Sequence, residues 1–261
     1  MEAALWVAKT GLDAQQTRMT VIANNLANVN TTGFKRDRAT FEDLLYQNVK
    51  QGGAQTSADT AAPTGLLLGT GTRVVATEKL HAQGNIIQTQ NAFDVAISGE
   101  GFFQILQPDG TLAYSRDGGF KISAEGVLVN SSGYRLQPEL AIPQNAQSIT
   151  IGADGTVSIQ TFGEAAAQTI GQIQIARFLN PSGLQAIGEN LYRETSSSGP
   201  PQVGIPTQQG NGQLIQGALE SSNVNVVEEM VNMIETQRAY EVNSKAIDAV
   251  NKMLQYANNN L

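Results

Sequence analysis

The chain has 261 residues, a formal charge of -7 and only 15% charged residues, against roughly 25% in an average soluble domain. The polar bulk comes instead from 25 Gln and 20 Asn. With no Cys and a single His, His81, disulfides, thiol nucleophiles, iron–sulfur clusters and a multi-histidine metal site are excluded, and the acidic balance disfavours nucleic acid.

Three textures follow one another. Residues 1 to 46 are nearly free of Pro and Gly, the long middle holds all eight prolines, and the chain from Asn223 onward has neither Pro nor Gly. At the start, Leu5, Leu12, Met19 and Leu26 recur every seven residues, with Ala8, Gln15, Ile22 and Val29 three positions later. This heptad spacing predicts a helix from Ala3 to Val29, about 40 Å long. Gly33 supplies a left-handed stop beyond its end.

Between this helix and the β-rich middle lies Gln47 to Gly71, rich in Gln, Gly, Ala, Ser and Thr and without periodicity. It reads either as a flexible linker or as an extended arm laid on a neighbour. From Phe102 onward, short alternating runs are separated by turn dipeptides: Phe102–Leu106, Thr111–Ser115, Phe120–Ser123, Val127–Asn130 and Tyr134–Leu136. Ser148–Ile151 and Thr156–Ile159 flank Asp154-Gly155, and Ile170–Phe178, Leu191–Glu194 and Leu214–Leu219 complete the set. Asp-Gly between such runs marks a tight hairpin, because the turn needs positive φ. No helix-length segment intervenes, so antiparallel sheets are expected rather than a βαβ fold.

At the far end, Val226, Met233, Tyr240, Ile247 and Leu254 are spaced by seven, with Met230, Gln237, Ser244 and Asn251 offset by four. Asn225 and Glu228 have the spacing of an N-cap and its reciprocal partner. The expected helix runs about 50 Å, to Ala257. Residues 1–38 carry a net charge of +2 and residues 220–261 a net of -3, so the two ends are paired here with each other. Separate packing of each helix on the middle domain is the alternative. The fold class is therefore α+β, a discontinuous coiled-coil domain beside a mostly antiparallel β domain. The expected segments are 1–46 (helical), 47–75 (linker or arm), 76–219 (β) and 220–261 (helical).

Chemistry is hard to find. Gly69-Thr-Gly-Thr72 lacks the Lys-Ser/Thr of a phosphate loop, and Gly99-Glu-Gly101 lacks the third glycine of a dinucleotide fingerprint. Among the acids of the β region, Asp109, Glu125 and Asp154 precede turn glycines, so turn formation already accounts for them. Lys35, Arg36 and Arg38 follow the first helix, where cations suit the negative end of its dipole or meet the acidic terminal segment. No catalytic, cofactor-binding or metal-ligating residue is assigned. The helical seams Leu5, Leu12, Met19, Ile22, Leu26, Val226, Met230, Met233, Tyr240, Ile247 and Leu254 are candidate subunit contacts. Asn24, Asn25, Asn28, Asn225 and Gln237 are candidates for hydrogen bonds between subunits. No apolar run approaches a membrane span, and no secretory signal is seen.

The ends carry a resemblance. Residues 23–36, ANNLANVNTTGFKR, and 221–247, SSNVNVVEEMVNMIETQRAYEVNSKAI, resemble the signatures of bacterial flagellar rod and hook proteins. FDVAISGEGFFQI (93–105) and YSRDGGFKISAEGVLVNSSGYRL (114–136) are similar to that family's β region. The length and the 44–65 segment place the resemblance in the distal-rod branch. It implies a helical tube of many copies, its paired helices lining the inside, acting as a drive shaft without catalysing a reaction and without a cofactor. It further implies contact with proximal rod proteins, hook-side axial proteins, peptidoglycan and outer-membrane ring proteins, and the flagellar type III export apparatus, with no nucleic acid and no membrane insertion. The rod would run from periplasm to outer membrane. A β-rich adhesin or carbohydrate-binding module, and a glycosidase using two carboxylates, are the readings from other classes.

Overall fold

The computed structural model describes residues 2–53, 55–57, 60–61, 64–161 and 166–259. Helix α1 spans Glu2–Ala27 and helix α2 spans Val226–Asn259. Every strand pairing with a recorded register is antiparallel. The chain forms two compact units, one comprising Met1–Leu26, Asp37–Glu78 and Asn225–Leu261, the other Ala27–Arg36 and Lys79–Val224.

The first unit contains both helices. An added Cβ on Gly11 would lie 3.2 Å from Asn243 Nδ2, and Asn25 Nδ2 donates to Glu229 Oε2 at 3.4 Å. Stepping forward two heptads from Gly11 to Asn25 on α1 matches stepping back two heptads from Asn243 to Glu229 on α2, so the helices run antiparallel. The start of α2 is capped as its sequence requires: Asn225 Oδ1 accepts from the N–H groups of Val227 and Glu228 at 3.0 and 3.4 Å, using donors a helix leaves unpaired at its first turn.

The same unit holds a long ribbon. Asp37–Asp43 pairs with Thr72–Lys79, Tyr46–Lys50 with Leu66–Gly69, and Gln55–Ser57 with Thr60–Ala61, three nested pairings that build one hairpin. This corrects two expectations. Residues 37–43, expected in the helical end, are a strand, and the described residues of the 47–75 segment, expected as a linker or an extended arm, pair as strands. Alternation does not mark its middle because that part has no core face: every residue of Tyr46–Lys50 and Leu66–Gly69 is exposed, and without burial on one side nothing selects an apolar–polar period.

The second unit is the β body, which takes in 27–36 and 79–224 rather than 76–219. Phe102–Leu106 lies at the centre of a nine-stranded sheet, paired with Leu112–Ser115, Arg135–Gln137 and Ile175–Arg177. Its side chains alternate between two cores. Phe103 and Ile105 join Val95, Ile97, Phe120 and Leu136 in the larger one. Phe102 joins Tyr114, Phe178 and Tyr192 in an aromatic cluster, where Tyr114 and Phe178 meet edge to face at 4.7 Å. A three-stranded meander, Ala146–Ile151, Thr156–Thr161 and Gln168–Gln172, lies beside it. Two runs read as single strands are divided. Ile170–Phe178 is split into Gln168–Gln172 and Ile175–Arg177, and Leu214–Leu219 is broken at Gly217, whose φ is 71°.

Candidate assembly site

The heptad residues of α1 lie on its partly buried face. Leu5, Leu12, Met19 and Leu26 are half-buried and Ile22 is buried. On α2 the inward face is shifted from the expected rows. Glu229 and Thr236 are buried, and Met233, Asn243, Ile247 and Val250 are half-buried. Val226, Met230 and Tyr240 instead remain 39%, 51% and 40% exposed, and the Leu254 side chain lies outside the described residues. Glu229, Thr236, Asn243 and Val250 also recur every seven residues. That row is largely polar, and an apolar criterion passes over it. The outward face carries Val227, Val231, Ile234, Val242, Met253 and Tyr256, all about half exposed or more.

The polar candidates divide. Asn25 is buried and fully engaged within its own chain: its amide donates to the Asp37 carbonyl at 2.9 Å and its Oδ1 accepts from the Asp37 N–H at 2.8 Å. Asn24 donates to Asp37 Oδ2 at 3.2 Å, Asn28 accepts from Thr31 Oγ1 at 3.2 Å, and Asn225 is the helix cap. Each of these four has a partner within the chain. Gln237 is exposed on α2.

Arg38 pairs with Glu78 across the ribbon, the one exposed and the other half-buried, a surface arrangement worth at most about 1 kcal/mol. Lys35 turns into the β body, where Glu220 holds it. The Lys35 Nζ to Glu220 Oε1 distance is 2.6 Å with both side chains fully buried, and Arg116 Nε lies 2.9 Å from Glu220 Oε2. Burial lowers the Lys35 pKa from its usual value while the Glu220 carboxylate pulls it back up. Strand alternation could have found this carboxylate: Leu214 and Ala218 point inward, and Glu220 follows on the same face.

Gly33 has the left-handed φ of 68° its position suggested, and a Cβ there would lie 2.7 Å from the backbone of Arg116 and Asp117. Gly33→Ala is expected to cost about 1–2 kcal/mol from the backbone conformation alone, and more from the collision; urea unfolding of the two chains checks it.

The acids of the β region have structural duties. Asp109 caps its turn through Thr111, Asp154 does so through Thr156, and Glu125 pairs with Arg135. Asp94 accepts from Thr89 Oγ1 and Asn91 Nδ2. Among the described residues no cluster of His, Asp and Glu is arranged to hold a metal, and no helix is long and apolar enough to cross a membrane. A cavity of about 410 Å³ in the β body is lined by His81, Phe102, Phe178 and Pro181, with Lys35 and Arg116 at its wall.

Three family models match this sequence. Residues 5–35 match a flagella basal body rod protein model, 96–159 the FlgE/F/G D1 domain of flagellar hook proteins, and 215–260 the C-terminal region of flagellar basal body rod FlgEFG proteins. The chain is 55% identical over 252 residues to the flagellar basal-body rod protein FlgG of Buchnera aphidicola from Schizaphis graminum, covering 97% of each. It is 50% identical to FlgG of Borreliella burgdorferi, covering 99% of this chain and 98% of that one. For Caulobacter vibrioides, identity is 46% to FlgG and 35% to the rod protein FlgF. With similarity to the FlgG relatives running from end to end, the chain belongs to the flagellar basal-body rod protein family and is a structural subunit of the distal rod, not an enzyme.

Proposed function

We propose that the two antiparallel terminal helices form a discontinuous coiled-coil layer completed by the helices of neighbouring copies, and that many copies close into a tube. One observation carries this reading: the outward face of α2 keeps Val227, Val231, Ile234, Val242 and Tyr256 in solvent in the single chain. An apolar stripe of that length calls for cover, and closed or helical arrays of one subunit supply it repeatedly. Leu5, Leu12, Met19, Ile22 and Leu26 together with Met233 and Ile247 hold the pair, while Val226, Met230, Tyr240 and Gln237 face the neighbours. The tube is a drive shaft that crosses from periplasm to outer membrane. It joins proximal rod proteins below and hook-side proteins above, passes through the ring proteins, and receives its subunits from the type III export apparatus.

The ribbon serves as a wedge between copies. A two-stranded ribbon is marginal in water by itself, and this one exposes Leu45, Tyr46, Val49, Leu66, Leu67 and Leu68. Seating those side chains against an adjacent copy buries them and resists bending. Deleting Gln47 to Pro63 is expected to leave polymers that are curved or flexible in electron micrographs. Straight, stiff polymers from the deleted chain would count against the wedge.

A further inference from the structure

The segments 27–36 and 220–224 are where the two chain ends enter the β body, and they are stitched to each other as much as to the sheet. Gly33 N–H donates to the Glu220 carbonyl at 2.8 Å, and Arg36 N–H to Asn223 Oδ1 at 2.7 Å. The Asn223 amide in turn donates to the carbonyls of Leu80 and Ala82, and Leu80 N–H donates to the Arg36 carbonyl at 2.8 Å. At the centre, Glu220 Oε1 accepts from Lys35 Nζ and from Gly84 N–H at 2.8 Å, and Oε2 faces Arg116. Lys35 also donates to the Ala82 carbonyl at 2.8 Å.

The charges are unequal. Two buried cations share one buried carboxylate. If the 27–36 segment lifts away, Glu220 keeps Arg116 and the Gly84 N–H, and a neutral pair remains. If the 220–224 segment lifts away, Lys35 and Arg116 are left as two like charges without a counterion, which the protein interior does not tolerate. Arg116 stays tied to the carbonyls of Gly99 and Gly101 at 2.9 and 2.7 Å, so Lys35 is the group that must leave. We propose that Glu220 is a positioning residue that makes docking of the chain's N-terminal entry segment conditional on docking of the C-terminal one. The consequence is an order of closure: the segment leading into α2 seats first and the segment leaving α1 locks over it.

The test is amide exchange on the full chain. In Glu220→Gln, which keeps the shape and removes the charge, exchange in 27–36 is expected to rise at least ~10-fold, with Phe102–Leu106 unchanged. In Lys35→Met, exchange in 220–224 is expected to change less than ~3-fold, since Arg116 still balances Glu220. This asymmetry is a readout that an ordinary stabilising pair would not give, because losing either partner would then loosen both segments alike. Wild-type exchange of 27–36 in Glu220→Gln, or equal loosening by both variants, would overturn the proposal. Should Glu220→Gln fail to fold, native-state exchange of the unaltered chain in low denaturant decides. The 27–36 segment must open at or before 220–224, and protection of 27–36 while 220–224 is open would overturn the proposal.

Discussion

Replacing Glu220 by Ala is expected to destabilise the β body by about 3–5 kcal/mol, the range for removing one member of a buried ion cluster. The carboxylate is fully enclosed and bridges Lys35 and Arg116, so its loss leaves two cations where solvent cannot reach them. It also takes the partner from the Gly84 N–H, and an orphaned buried donor adds about 1–3 kcal/mol of its own. Gln in the same place keeps an acceptor for that N–H and is expected to cost less than Ala. Urea unfolding followed by far-ultraviolet circular dichroism orders the three chains. A loss below ~1 kcal/mol for Ala, the level of an exposed pair such as Arg135–Glu125, would mean that the cluster carries no buried charge to compensate.

Acid is expected to weaken the same body through His81. Its ring stands edge-on to Phe102 and Tyr192 at 5.5 Å. Burial, assisted by Lys35, Arg116 and Lys79, lowers its pKa from 6.5 to about 4, against a small upward pull from the Pro181 carbonyl. The folded chain therefore keeps the ring neutral where the unfolded chain protonates it. Stability contributed by this group is complete above pH ~6.5, is lost as the pH falls towards ~4, and changes no further below. At about 1.4 kcal/mol per pH unit, the whole step amounts to roughly 3 kcal/mol. His81→Phe is expected to flatten the stability profile between pH 6.5 and 4.5. Carboxylates titrate lower in this range in both chains, so the difference between the profiles isolates the imidazole. Identical slopes would show that His81 is not the acid-sensitive group.

Helix α1 is legible because its apolar residues lie on the partly buried face, and that stripe leaves a period. Leu5, Leu12, Met19 and Leu26 on α1 mark it cleanly. On α2 the inward row is Glu229, Thr236, Asn243 and Val250, which hydropathy passes over, and the apolar residues that attract the eye, Val226, Met230 and Tyr240, are those left to solvent. Hairpins such as Phe102–Leu106 with Leu112–Ser115 were legible for the same reason as α1, with Asp109-Gly110 marking the turn between them. The middle of the ribbon, Tyr46–Lys50 with Leu66–Gly69, was not, because both of its faces are wet. Nor was the ion cluster: Lys35, Arg116 and Glu220 stand far apart in sequence, and Glu220 precedes the acids of α2 so closely that only the Asn225 cap separates it from them. A buried charge pair is a property of tertiary packing, and strand alternation through Leu214 and Ala218 was its one local trace.

The family, the exposed face of α2 and the bare ribbon all point to one role, a subunit that becomes a shaft only among copies of itself. The most direct measurement is electron microscopy of purified hook–basal bodies carrying a small label on this chain. The label is expected along the straight segment of the shaft immediately below the hook. Label confined to the hook or to the proximal end, or a labelled chain expressed in motile cells yet absent from intact particles, would contradict it.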